Sequence, residues 1–133
     1  RNAPVWLQKK FGYPKIVFKG EVADAYDFMN SKSIMAVPLF SGSGMRIKII
    51  EGMALGKPIV TTPIGTEGIS TTSGKNILIA ETKTEFIDAI SKLIDDKELF
   101  DKIGKNAIEY IHEKFDNITT ASALVEFYKM QTS

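Results

Sequence analysis

The chain has 133 residues, enough for one ordinary domain with a real core, and its 44% apolar and 25% charged content is that of a folded globular protein. Its 17 basic and 16 acidic residues leave a net charge of +1, without the basic excess of a nucleic-acid binder. With no cysteine and a single histidine, His112, it can form no disulfide and no Cys-based zinc site, and no apolar run approaches the roughly 18 residues needed to span a bilayer.

The opening "RNAPVWLQKKFG" lacks both an initiator Met and the continuous apolar core of a signal peptide, which fits a piece of something longer. Pro4 suits a first helical turn, and a short helix through Trp6, Leu7 and Phe11 is expected to stop at Gly12. "KIVFKG" (15–20) reads as a strand, and "VADAYDFMN" (22–30) as a helix with Val22, Ala25, Tyr26 and Met29 on one face. "SIMAVPLF" (33–40) is a continuous apolar run, as expected of a strand covered on both faces.

A glycine-rich loop and a helix starting near Met45 follow in "SGSGMRIKIIEGMALG" (41–56). Gly56 stands where a helix end favours a left-handed residue, and Pro58 prevents continuation. "PIVTT" (58–62) and "NILIA" (76–80) are further strands, separated by a polar loop with Pro63, Gly65, Gly68 and Gly74. Three helices complete the chain: 83–94, capped by Thr84 with a stripe of Phe86, Ile87, Ile90, Leu93 and Ile94; 97–115; and 118–130. Trp6 and Met53 are assigned to the core, and His112 to a helix surface or helix packing rather than to catalysis.

Strands alternating with helices give an α/β fold: a Rossmann-like three-layer domain with a mainly parallel sheet and helices on both faces. Ligands of such sheets sit outside the carboxyl ends of the strands, here after Phe18, Val37 and Thr62.

The second of these loops has the makings of an anion site. A helix N-terminus offers unpaired N–H groups and partial positive charge, and Gly42 and Gly44 let the backbone approach an anion closely. Ser41 and Ser43 add hydroxyl donors, and Arg46 a fork suited to two phosphate oxygens. Glu51 requires a different partner: the adjacent hydroxyls of a ribose, or Lys48 as a plain i,i+3 pair on a solvated face. Gly65 and Glu67, in "TTPIGTEGI" (61–69), are candidates for the same crevice, or else a surface turn. "GMALGKP" (52–58) is not a P-loop, because only three residues separate its glycines and Pro58 stands where Ser or Thr is required. "GSGMRI" (42–47) has Ile47 in place of the third glycine of a dinucleotide fingerprint.

Residues 17–69, most specifically Gly44 through Pro58, resemble the C-terminal domain of group 1 retaining glycosyltransferases of the two-domain GT-B fold, and 74–115 is similar to that domain's end. The resemblance implies that 1–133 is a partial C-terminal nucleotide-sugar-binding domain of an enzyme moving a hexose to an acceptor, in polysaccharide or cell-envelope glycan synthesis. It puts Glu51 at the family's ribose-binding carboxylate, and Gly42, Ser43, Gly44, Met45, Arg46 and Lys48 at the donor diphosphate. It implies neither metal nor cofactor.

Two departures stand out. Many members carry a second glutamate eight residues before the first, where this chain has Ser43. The family's domain also opens with two strands that nothing here matches, and in its strand order they lie between "IVF" and "IMAV". A fragment is therefore expected, inactive alone, with an incomplete sheet that can self-associate. The acceptor, a sugar or lipid-linked glycan, would be bound by a missing N-terminal domain of a cytoplasmic protein, with the membrane periphery open to the full-length form. The alternatives from other classes are a GT-B-like nucleotide-sugar epimerase and a non-catalytic α/β interaction module.

Overall fold

The structure is a computed structural model that describes residues 4–10, 14–44, 46–114 and 129. Met45 and the helix expected over 118–130 lie outside the described residues, Lys129 excepted. The chain divides into two compact units, Arg1–Ser31 and Lys32–Ser133.

In the first unit, helix α1 (Val5–Lys10) opens at Pro4, whose carbonyl accepts from the amides of Leu7 and Gln8 at 3.0 and 3.1 Å. Its six residues make fewer than two turns and none is buried, so Trp6, expected in the core, is 65% exposed. Residues 15–20 form no strand, contrary to expectation, and Ile16, Val17 and Phe18 are 45%, 68% and 37% exposed. A strand exists only as half of a hydrogen-bonded ladder, and no described residue pairs with this run. The end of this run is therefore not a strand's carboxyl end. Helix α2 (Ala25–Asn30) starts later than the apolar pattern suggests, because the Asp24 side chain caps it by accepting from the Asp27 amide at 3.0 Å. Ala25 and Tyr26 turn outward, while Val22 and Met29 are half-buried.

The second unit holds a parallel sheet in the order β1 (Met35–Val37), β2 (Ile59–Thr61), β3 (Leu78–Ile79). Met35 aligns with Ile59 and Val60 with Leu78. Pro58 supplies no donor but still serves the ladder, its carbonyl accepting from the Met35 amide at 3.0 Å. Among the described residues β1 pairs with β2 alone.

Successive β2 side chains enter different clusters. Ile59 joins Ile49, Ile50 and Met53 of helix α3 (Ile47–Ala54) with Ala107 and Ile111 of helix α5 (Lys97–Lys114). Val60 joins Leu93 of helix α4 (Lys83–Asp95), Ala80 and Ile103. Helices thus cover both faces of the sheet, which is the three-layer arrangement read from the sequence. Met53 is fully buried, as expected.

Thr82, not Thr84, caps α4. Its hydroxyl accepts from the Glu85 amide at 3.1 Å while Glu85 Oε2 accepts from the Glu81 amide at 2.6 Å, leaving Thr84 inside the first turn. Of the expected α4 stripe, Leu93 is buried, Phe86 and Ile90 pack partly, and Ile87 and Ile94 are exposed. The packed stripe is Phe86, Ala89, Ile90 and Leu93, at i, i+3, i+4 and i+7.

α3 ends in a Schellman turn. Gly56, at φ +70°, donates to the Met53 carbonyl and Lys57 to the Gly52 carbonyl, both at 3.0 Å. This turn lies against α5, where a Cβ on Gly104 would stand 2.5 Å from the Gly56 carbonyl oxygen. At Gly52 a Cβ would meet Met35 Sδ at 2.8 Å, so α3 also lies close upon the sheet.

Candidate functional site

The loops leaving β1 and β2 run side by side at the carboxyl edge of the sheet, and threonines join them. Thr61 donates to the Val37 carbonyl at 2.8 Å, and the Thr62 hydroxyl donates to the Leu39 carbonyl. Thr62 also opens the short 3-10 turn Pro63–Thr66, its side chain accepting from the Gly65 amide at 3.3 Å. Both threonines are buried, so these bonds carry the full value of satisfied polar groups in a dry setting. Sequence reasoning missed them as site-builders. The available signal was a Thr pair at a strand's carboxyl end, directly before a proline.

The expected site residues meet in three pairs. The Gly44 amide donates to Glu67 Oε2 at 3.2 Å, which brings the two loops together. Arg46 folds back so that Nη1 donates to the Ser43 carbonyl at 2.9 Å. Lys48 Nζ lies 2.9 Å from Glu51 Oε2.

Arg46 is the N-cap of α3, and its side chain makes no capping hydrogen bond to that helix end. The amides of Ile49 and Ile50 both turn to the Arg46 carbonyl, at 3.0 and 3.2 Å. The guanidinium lies across Gly42, whose φ is +117° and whose Cβ, if present, would stand 2.7 Å from Nη2. Nε and Nη2 are buried without a hydrogen-bond partner among the described residues. A buried cationic donor left unpaired costs free energy, and an anion with several acceptor oxygens would satisfy it.

Lys48, expected at the diphosphate, holds the Glu51 carboxylate through one oxygen. The Glu51 side chain is 14% exposed and that of Lys48 is 43% exposed, so the pair is screened on its cationic side. Gly65 is buried against the Thr61 side chain with no room for a Cβ, which makes it a spacer beneath the loop. Gly42, Ser43 and Gly44 are exposed, as is Ser41. His112 is exposed on the last turn of α5, far along the chain from these loops.

Among the described residues no three His, Cys, Asp or Glu converge as metal ligands, and no helix is long and apolar enough to cross a membrane.

Residues 2–96 match the family model described as glycosyl transferases group 1. An uncharacterized glycosyltransferase of Methanocaldococcus jannaschii is 34% identical over 85 residues, 62% of this chain and 24% of that protein. An uncharacterized 44.6 kDa protein in the cps region of Klebsiella pneumoniae is 28% identical over 87 residues, 65% of this chain and 22% of that protein. The chain thus spans about a quarter of the length of these curated relatives. Among solved structures, Anabaena HepE in complex with UDP superposes with a TM-score of 0.66 at 22% identity, over 82% of this chain and 30% of its own. The C-terminal domain of the Francisella tularensis group 1 glycosyl transferase LpcC gives 0.67 at 23% identity, over 83% and 59%. Sucrose-phosphate synthase of Thermosynechococcus elongatus gives 0.73 at 18% identity, over 96% and 33%. These likenesses establish a shared fold.

Proposed function

The chain belongs to the group 1 glycosyl transferases, and on that premise we propose that it is the donor-binding part of a retaining enzyme that moves a hexose from a nucleotide-sugar to an acceptor. The observation that carries the reading is the Arg46 guanidinium at the N-cap of α3, with two buried nitrogens that find no hydrogen-bond partner among the described residues. A diphosphate offers the charge and the several oxygens that this donor set lacks. Glu51, one turn into the helix, would accept from the ribose hydroxyls, with Lys48 holding its carboxylate in place. The UDP seen with the Anabaena protein of the same fold supports a nucleotide as ligand, and the cps-region relative favours polysaccharide or cell-envelope glycan synthesis.

The acceptor, a sugar or lipid-linked glycan, would be held by a part of the longer protein outside these residues, working in the cytoplasm at the membrane periphery. Pairing along the outer edge of β1 would extend the sheet, and sedimentation of the 133-residue chain at rising concentration reads whether a second copy supplies that strand. The donor assignment is tested in the full-length protein with labelled nucleotide-sugars and product analysis. Transfer of the label to an acceptor supports it, whereas epimerised donor refutes it. Normal donor binding and turnover by Glu51→Ala would remove the ribose role.

A further inference from the structure

Glu67 poses a problem for an anion site: its carboxylate sits on the Gly44 amide, one of the backbone donors of the glycine loop. A carboxylate there is itself an anion, so the amide's capacity to hold negative charge is on view. The same carboxylate repels any further negative charge brought to that spot. Glu67 is exposed, follows the 3-10 turn Pro63–Thr66, and is held to the loop after β1 by a backbone framework pinned through Thr62. Its position is therefore set by buried contacts, although the carboxylate itself meets solvent.

The order of groups along the site gives this charge a role. Glu51 lies inside α3 and Gly44 lies ahead of its first residue, Ile47. If the ribose is at Glu51, the phosphate reaching Gly44 is the distal one, which carries the sugar in a nucleotide-sugar. That phosphate has one ionisable oxygen when esterified to a sugar and two when free.

We propose that Glu67 is a charge-selecting residue of the donor site, which disfavours a free terminal phosphate and tolerates one esterified to a sugar. This rests on the donor-site reading above. In that role Glu67 favours nucleotide-sugar over the spent nucleoside diphosphate, and so also favours release of the product. A unit charge about 5 Å from a solvated carboxylate shifts a binding equilibrium by about fourfold in water-like surroundings. The selection is accordingly modest, and salt weakens it.

The test uses the full-length protein at pH 8 without divalent cations, where the free terminal phosphate carries both charges. Affinities for UDP, GDP and ADP and for UDP-glucose, GDP-mannose and ADP-glucose are measured by calorimetry on wild type, Glu67→Gln and Glu67→Ala. Gln keeps an oxygen for the Gly44 amide and removes only the charge. For the base that binds, Glu67→Gln is expected to improve free diphosphate affinity about three- to fivefold more than that of the sugar diester. Glu67→Ala is expected to give the same change in ratio, since the charge and not the hydrogen bond is responsible. An unchanged ratio in both variants overturns this proposal alone. If none of the six ligands binds wild type, the donor-site reading fails and this proposal fails with it.

Discussion

Gly104→Ala sets two well-known effects against each other. Gly104 lies inside α5, where replacing glycine by alanine would on helix propensity alone stabilise by about 1 kcal/mol. The new Cβ, however, would stand 2.5 Å from the Gly56 carbonyl oxygen. That is about 0.9 Å short of ordinary van der Waals contact. Both sides of the clash are backbone, and Gly56 is held by the Schellman turn that ends α3, so no side-chain rotation relieves it. Relief requires α5 to lift from α3, which loosens Ala107 and Ile111 from the cluster they share with Ile49 and Met53. Overpacking of this kind costs about 1–3 kcal/mol, and a backbone clash belongs at the upper end. The net expectation is destabilisation by about 1–2 kcal/mol despite the better helix former. Urea and thermal unfolding of the variant read it directly, with Lys105→Ala, exposed on the same helix, expected within about 0.5 kcal/mol of wild type as control. A Gly104→Ala protein as stable as wild type or more so would refute the close α3–α5 approach.

Arg46→Ala should weaken nucleoside diphosphate binding by about ten- to a hundredfold, as for loss of charge-assisted bonds, and leave nucleoside binding nearly unchanged; calorimetry with UDP and uridine distinguishes this from an equal loss in both. Gly42→Ala should lower diphosphate affinity and also lower the unfolding temperature by a few degrees, because a Cβ displaces the guanidinium and the φ of +117° resists any side chain. Thr62→Val should cost about 1–3 kcal/mol, since it leaves the Leu39 carbonyl without its donor, and increased amide hydrogen exchange in residues 39–44 would show the two loops separating. Lys48→Ala should cost only about 0.3–0.5 kcal/mol of stability, because the lysine is half in solvent, and yet should raise donor KM if the pair positions Glu51.

Much of the fold was legible in the sequence. The continuous apolar runs at 33–40, 58–62 and 76–80 each contain a strand, the Gly56 stop is a left-handed C-terminus, and Met53 is core. These are local features: strand runs, helix periodicity and end signals lie within a few residues of the element they define. The run at 15–20 failed for the converse reason, since a strand depends on a partner that its own residues do not specify. The cap moved from Thr84 to Thr82 because capping depends on the phase of the helix, which the core contacts of Leu93 and Phe86 set.

The candidate site divides along the same line. The sequence by itself determined its chemical inventory: a glycine loop before a helix, a guanidinium at the cap, a carboxylate one turn in, and a second acidic loop after the next strand. Only the tertiary structure decided the pairings. Glu67 reaches Gly44 across 23 residues, Lys48 meets Glu51, and Arg46 folds over Gly42 with two nitrogens that have no partner among the described residues. The reason is that β1 and β2 are parallel neighbours, so their outgoing loops must emerge on the same edge, where Thr61 and Thr62 fasten one to the other. That adjacency follows from sheet register, which is a property of the folded chain and not of any short stretch within it.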